Sequence, residues 1–385
     1  MFLAPLLKLM ADKKASDLFF TVGAPINIKI NGVCTPLNNE PVKPDLINQV
    51  CGELMNEEQR QTFEANMEMN FSFRVREVGN FRVNVFRQRN MSAVVIRFIN
   101  TSVPSIQELN LPPVLKDLIM EKRGLVFVVG STGSGKSTTL ASMIEHRNLI
   151  RTGHILTIED PIEYLFRHKK SLINQREVGQ DTLSYNNALV NAMREAPDVM
   201  MIGEVRDRET LRHALIYAQT GHLCLTTLHA NNSYHALNRI VNFFPYDARD
   251  ALKADLSMSL RAIISQRLVR GVDGKLLPAV EVLLNTKHVA ELIKKGEFDM
   301  IKEAMEQSLT PGSQTFEQAL FDLLKSGHIT REEAMSSADS PTNLAALLDY
   351  SQKVETSQPR RGTVAGSKPG SSFDNIAIDA DMLDK

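Results

Sequence analysis

The sequence predicts an α/β fold: a mostly parallel sheet with helices on both faces, joined to a smaller α+β unit. Three observations carry this. The apolar run Leu125-Val126-Phe127-Val128-Val129 leads into a glycine-rich loop, Gly130-Ser131-Thr132-Gly133-Ser134-Gly135-Lys136-Ser137, and then into a helical pattern from Thr138. Downstream, apolar strand-like runs alternate with helical patterns, as in parallel strands joined by helical crossovers. Two of those runs end in acids, and an open parallel sheet gathers strand ends into one ligand-binding edge.

At 385 residues the chain exceeds the size of about 250–300 residues at which one core stops growing. The expected division is an N-terminal domain over 1–100, a linker over 101–113 and a core over 114–285. A helical region over 286–350 and a disordered tail over 351–385 follow. The formal net charge is −1, which argues against a nucleic-acid or anionic-membrane partner. Cys34, Cys51 and Cys224 are odd in number and widely spaced. They suggest neither a disulfide framework nor a metal site, and a reducing compartment. No apolar run approaches the roughly 18 residues of a membrane span.

Taken in order, Leu3, Leu6, Leu7 and Met10 share one helical face. The segment lacks a basic leader, so it reads as a poor signal peptide. It either packs on the first domain or lies on a membrane surface, which needs a more basic polar face. Ile26, Ile28 and Ile30 alternate with polar residues, and Asn31-Gly32 supplies a tight hairpin turn before Val33. Helical spacing runs from Lys43 to Glu64. Phe81, Val83 and Val85 then face one side of a strand and Arg82 and Asn84 the other; Val94, Ile96 and Phe98 alternate with Val95, Arg97 and Ile99.

A helix from Val114 to Glu121 precedes the phosphate-loop strand. Further strands are expected at Ile155–Ile158, Val199–Ile202 and Leu223–Leu228. Ser184 and Asp207 are candidate helix N-caps. Leu252, Leu256, Leu260, Ile263 and Ile264 predict one long amphipathic helix. Small helices follow at 287–296, 298–307, 314–326 and 330–347. The composition beyond Ser351 predicts disorder, with Phe373 onward read as solvated tail or as a docking peptide.

The loop matches G-x-x-x-x-G-K-[ST] in full. Its glycines let backbone N–H groups turn toward phosphate oxygens, aided by the positive end of the following helix. Lys136 is expected on the β- and γ-phosphates and Ser137 on Mg²⁺. Gly130 to Thr138 are therefore the candidate nucleotide-binding residues. Acids follow two strands: Glu159-Asp160-Pro161-Ile162-Glu163 and Gly203-Glu204. One such carboxylate suits Mg²⁺ or its water shell, and another suits activation of water. His222 and His229 flank one strand beside these acids and are candidates for sensing the γ-phosphate, against the ordinary structural role of a lone histidine.

The ordered set Gly130–Ser137, Thr157–Glu163, Val199–Glu204 with Arg206-Asp207, and Thr220-Gly221-His222 through His229 resembles the Walker A, Asp box, Walker B and His box of secretion ATPases. Within that superfamily it resembles the type IV pilus retraction ATPases, the PilT/PilU family, and sits nearest the PilU branch. Ser259–Gln266 fits the same family. Ala290–Glu297, where PilT-like proteins carry an Arg-rich helix, and the tail after Tyr350 depart from the PilT pattern.

The resemblance implies a PAS-like N-terminal domain and a RecA-like ATPase domain in a hexameric ring, with sites between subunits. It implies Glu163 as general base, Glu204 as Walker B acid and His222 and His229 as the His-box pair. Arg82 and Arg97 take the positions from which the family's N-terminal domain contacts phosphate, read here as acting across a subunit boundary, with Arg82 solvent-facing in an isolated domain. ATP and Mg²⁺ are implied, the metal held by Ser137, by Glu204 directly or through water, and by Glu159. The implied partners are the homohexamer, the inner-membrane pilus platform protein and a paralogous retraction ATPase, at the cytoplasmic face of the inner membrane. The implied function is pilus retraction, in the manner of a PilU-type accessory motor.

Rival readings are a pilus-extension or type II secretion ATPase, a nucleic-acid translocase and a non-catalytic regulatory subunit. The first usually carries a tetracysteine zinc module, and Cys224 is the last cysteine here. The second needs a basic, aromatic-interleaved stretch. The third is disfavoured because every catalytic position is filled.

Overall fold

A computed structural model describes residues 2–30, 32–99 and 102–357. The hairpin residue Asn31, the linker residues Asn100 and Thr101, and positions 358–385 of the expected tail lie outside the described residues.

The N-terminal part is a six-stranded antiparallel sheet with helices against one face. Its strands are β1 (Asp17–Thr21), β2 (Asn27–Ile30), β3 (Val33–Pro36), β4 (Glu68–Val75), β5 (Gly79–Gln88) and β6 (Met91–Ile99), in the order β3-β2-β1-β6-β5-β4. Its helices are α1 (Leu3–Asp12), α2 (Pro44–Leu54) and α3 (Glu57–Asn66). In α1, Leu3, Leu7 and Met10 are buried in the sheet's core, so this face packs inward. The single helical stretch expected from Lys43 to Glu64 is two helices, because Met55 is extended and Asn56 opens α3 with a capping box to Gln59. On β5, Phe81, Val83 and Val85 are buried while Arg82 and Asn84 take the opposite face.

The second sheet has seven strands: β7 (Gly124–Val129), β8 (Gly153–Glu159), β9 (Ser171–Glu177), β10 (Val199–Ile202), β11 (Leu223–Leu228), β12 (Leu260–Arg270) and β13 (Leu276–Leu284), in the order β13-β12-β7-β11-β10-β8-β9. All pairings are parallel except β12 with β13. This is the α/β class expected. One face carries Leu125, Phe127, Leu156 and Met200 into a core with α6 (Tyr185–Ala192), α7 (Arg208–Gln219), α8 (Ser233–Asn242), α9 (Arg249–Ser259) and α10 (Lys287–Lys295). The other carries Val126, Val128, Ile155 and Met201 against α4 (Val114–Met120) and α5 (Lys136–Ile150). Burial of alternate residues on both faces explains the near-continuous apolar runs. Ser184 and Asp207 cap α6 and α7 by accepting the N–H of Asn187 and of Thr210.

The long amphipathic helix expected across Leu252–Ile264 is corrected. α9 ends at Ser259, and Leu260, Ile263 and Ile264 lie on β12. Residues 262 to 266 are consecutively buried, as a strand covered on both faces requires, and apolar spacing cannot separate that from a helix. β13 covers the outer edge of β12 and packs on a small helical cluster formed by α12 (Phe316–Lys325), α13 (Arg331–Ser337) and α14 (Pro341–Ser357), with α11 (Ile301–Glu306) nearby. The helix expected over 330–347 is thus two. Residues 351–357, expected as tail, continue α14.

Candidate active site

The phosphate loop joins β7 to α5. A Cβ at Gly130 would stand 2.4 Å from both the Gln266 carbonyl and Ser134 Oγ, and one at Gly135 would meet Gln266 Nε2 at 2.7 Å. The loop closes this tightly because Gln266 on β12 bridges it: Nε2 donates to the Ser134 carbonyl at 2.7 Å, and Oε1 accepts from Thr139 Oγ1 at 2.6 Å. Lys136 is buried, and its Nζ donates to the carbonyls of Gly130 and Ser131 at 2.9 Å each. Burial lowers its pKa, opposed by the charge of Glu204. Ser134 Oγ is buried without a partner. Thr138 Oγ1 lies 2.9 Å from the Tyr164 hydroxyl. Thr132, Gly133, Gly135, Lys136, Ser137 and Thr138 line a cleft of about 790 Å³.

The acids reach this cleft because β8 and β10 end at the same edge of the sheet as β7. Glu163 is exposed on the cleft wall. Glu159 is buried, and its Oε1 accepts from Thr157 Oγ1 at 2.7 Å and Gln175 Nε2 at 3.2 Å. Burial pushes its pKa up to about 7. Glu204 Oε2 accepts from Arg206 Nε at 2.9 Å, and its Oε1 lies 3.1 Å from His229 Nε2. Arg206 also reaches Asp160 at 3.5 Å. The Glu204 carboxylate therefore ties the end of β10 to the end of β11.

The structure places His222 elsewhere. It precedes β11, whereas His229 follows it, and six residues of strand separate them by roughly 20 Å. His222 packs edge-on against Tyr217 at 6.2 Å, with Nδ1 near the Tyr217 carbonyl. It does not line the cleft. Flanking one strand puts two residues at opposite edges of a sheet.

The outer face of the six-stranded sheet turns toward this cleft. Arg82 and Arg97 are direct cross-strand neighbours, a like-charge pairing that needs compensation. Arg97 donates to Asp17 Oδ1 at 2.7 Å, remains about half exposed and lines the cleft. Arg82, expected to face solvent in an isolated N-terminal domain, is covered in the whole chain by the seven-stranded part: its side chain is 14% exposed. Its Nη2 donates to the Ile162 carbonyl at 2.8 Å, and its Nε is buried without a partner. Both arginines face the seven-stranded sheet of their own chain.

Sequence reading singled out none of Tyr164, Gln175 and Glu177, and quoted Gln266 only within a family-like stretch. These are polar residues in or beside strands, where a single sequence carries no signal of long-range partners.

The chain matches the type II/IV secretion system protein family over residues 1–321. It is 51% identical to the type IV pilus ATPase PilU of Pseudomonas aeruginosa over 344 residues, covering 89% of this chain and 90% of that protein. It is 40% identical to the type IV pilus retraction ATPase PilT of the same organism, covering 88% and 98%. A crystal structure of the pilus retraction motor PilT with bound ADP superposes with a TM-score of 0.82 at 41% identity, covering 89% of this chain and 99% of that one.

Proposed function

The chain belongs to the type II/IV secretion system protein family, in its branch of type IV pilus retraction ATPases, and from that membership we propose how its residues hydrolyse ATP. The carrying observation is the convergence on one cleft of the phosphate loop, Glu163, Glu204 with His229, and Arg97.

The nucleotide fits the loop. The unpartnered Ser134 hydroxyl and the loop closed over Gln266 form a cradle, and Lys136 Nζ rests on two carbonyls that phosphate oxygens can replace. For Mg²⁺ the donor set is a hard one, the Ser137 hydroxyl and the Glu204 carboxylate. No group of three His, Cys, Asp or Glu among the described residues could hold a metal; Mg²⁺ typically takes one or two carboxylates and draws its other ligands from phosphate and water. When bound, it would neutralise charge on the β- and γ-phosphates. Glu159 is a weaker candidate ligand, because burial favours its neutral form.

In the step itself the Glu163 carboxylate takes a proton from water as the water oxygen bonds to the γ-phosphorus. The bond from that phosphorus to the bridging oxygen breaks, and the electron pair leaves with ADP. Lys136 and Arg97 balance the charge spread over the transferred group. His229, 3.1 Å from Glu204, carries the state of the Walker B carboxylate to the end of β11.

The assembly we propose is a homohexamer at the cytoplasmic face of the inner membrane. It works on the pilus platform protein beside a paralogous retraction ATPase, as a PilU-type accessory motor, without nucleic acid. Among the described residues no helix is long and apolar enough to cross a membrane. The proposed division of labour keeps residues 1–100, 114–285 and 286–350 as N-terminal, ATPase and helical parts.

The test is Mg²⁺-dependent phosphate release by the purified protein, with mass by light scattering with and without nucleotide. Glu163→Gln should lose about 10²–10⁴ in kcat while still binding ATP. Lys136→Ala should lose binding and turnover together. Unchanged turnover in Glu163→Gln removes Glu163 from the role of base, and a monomeric mass under all conditions removes the ring.

A further inference from the structure

Glu177 ends β9, does not line the cleft and belongs to no motif named above. The residue is nonetheless buried, at 6% exposure. Oε2 accepts the N–H of Ile162 at 3.0 Å, and the carbonyl of the same Ile162 accepts from Arg82 Nη2 at 2.8 Å. The Arg82 guanidinium lies 3.8 Å from Glu177. Both backbone polar groups of Ile162 are therefore gripped by side chains from two different sheets, and Ile162 adjoins Glu163. Glu177 Oε1 accepts from Gln180 Nε2 at 2.6 Å, and that nitrogen also lies 3.4 Å from Ser72 Oγ on β4. The carboxylate is thus tied to the N-terminal sheet a second time.

We propose that Glu177 is a positioning residue for hydrolysis: with Arg82 it clamps Ile162 and so sets where the adjoining Glu163 carboxylate stands. The inference rests on the reading of Glu163 as base. A base must come within about 2.6–3.2 Å of the proton it takes, and misplacement by about 1 Å can cost roughly 10²-fold in rate. One jaw of the clamp sits on the seven-stranded sheet and the other on β5. The base is held only while the two sheets are together, which makes the position of the N-terminal sheet a condition of turnover.

The test compares full-length Glu177→Ala, Glu177→Gln, Arg82→Ala and the Arg82→Ala/Glu177→Ala double variant, with Glu163→Gln in parallel. The readouts are kcat, affinity for a fluorescent ATP analogue, and hydrogen exchange of the peptide containing the Ile162 amide. Glu177→Ala should lose about 10–100-fold in kcat with analogue affinity within about twofold of wild type, and the Ile162 amide should exchange faster. Glu177→Gln keeps an acceptor oxygen and should recover most of the rate. The double variant should be no slower than the slower single variant, since both jaws act on one turn. Wild-type kcat in Glu177→Ala beside an inactive Glu163→Gln overturns the clamp and leaves the base reading standing. Turnover in Glu163→Gln overturns both. Should Glu177→Ala fail to fold, Glu177→Gln as slow as Arg82→Ala with unchanged exchange at Ile162 overturns the clamp.

Discussion

Glu159 ends β8 and is buried, at 6% exposure, so little water reaches its carboxylate. Hydrogen bonds from Thr157 and Gln175 favour the charged form, but burial outweighs them and pushes the pKa from 4.5 up to about 7. Between those values the folded chain holds a proton that the unfolded chain releases. Stability therefore falls as pH rises through that window, by about 3 kcal/mol in all. Glu159→Gln keeps the shape and cannot ionise, so it should flatten that slope and be more stable than wild type at about pH 8. Urea unfolding of both proteins at about pH 5 and about pH 8 measures it. Burial also raises the pKa of Glu281, but that contribution is common to both proteins and cancels in the comparison. Equal slopes would mean that Glu159 is not held as a neutral acid.

At the scale of the element, β12 does more than extend the sheet. It pairs in parallel with β7 and delivers Gln266 beneath the phosphate loop. Gln266→Ala removes two hydrogen bonds, to the Ser134 carbonyl and the Thr139 hydroxyl, each worth about 0.5–1.5 kcal/mol net. The loop then loses part of its preformed shape. Affinity for a fluorescent ATP analogue should fall about tenfold with little change in the rate of the chemical step. A titration showing wild-type affinity would mean that the loop keeps its shape without β12. The same element shows why the helical reading of Leu252–Ile264 failed. A helical stripe and the start of a buried strand share the same apolar spacing over a few residues, and only pairing with β7 and β13 separates them.

At the scale of the whole molecule, the C-terminal helices are fastened to the loop that follows His229. Arg267 on β12 donates to Asp339 at 2.7 Å, to the Ser337 carbonyl at 2.6 Å and to the Asn231 carbonyl at 3.2 Å, and lies 3.6 Å from the centre of the Phe316 ring. Asn232, the N-cap of α8, donates to the same Asp339 at 2.9 Å. Arg267→Ala should cost about 2–4 kcal/mol, from the lost charge-assisted bonds and from Asp339 left short of partners. Arg267→Lys should recover little of this, because an ammonium cannot make several bonds in one plane while stacking on a ring. Chemical denaturation measures both. A loss below about 0.5 kcal/mol would make the fastening dispensable.

The sequence alone determined what depends on a few neighbouring residues. The phosphate loop is legible because glycine, lysine and serine act within one turn of chain. The caps at Ser184 and Asp207 are legible because each serves an N–H three residues on. The paired faces of β5 are legible because side chains alternate. Only the tertiary structure decided which distant residues meet. His229 reaches the cleft and His222 does not, because one strand has two ends and ligands gather at one of them. Arg82 is covered because the N-terminal sheet lies against the turn at Ile162. Gln266 and Glu177 acquire their partners 132 and 15 residues away. Their positions follow from a strand order in which β12 lies beside β7 and β9 beside β8. That order is set by packing of both sheet faces against helices, a property of the whole chain that no local pattern records.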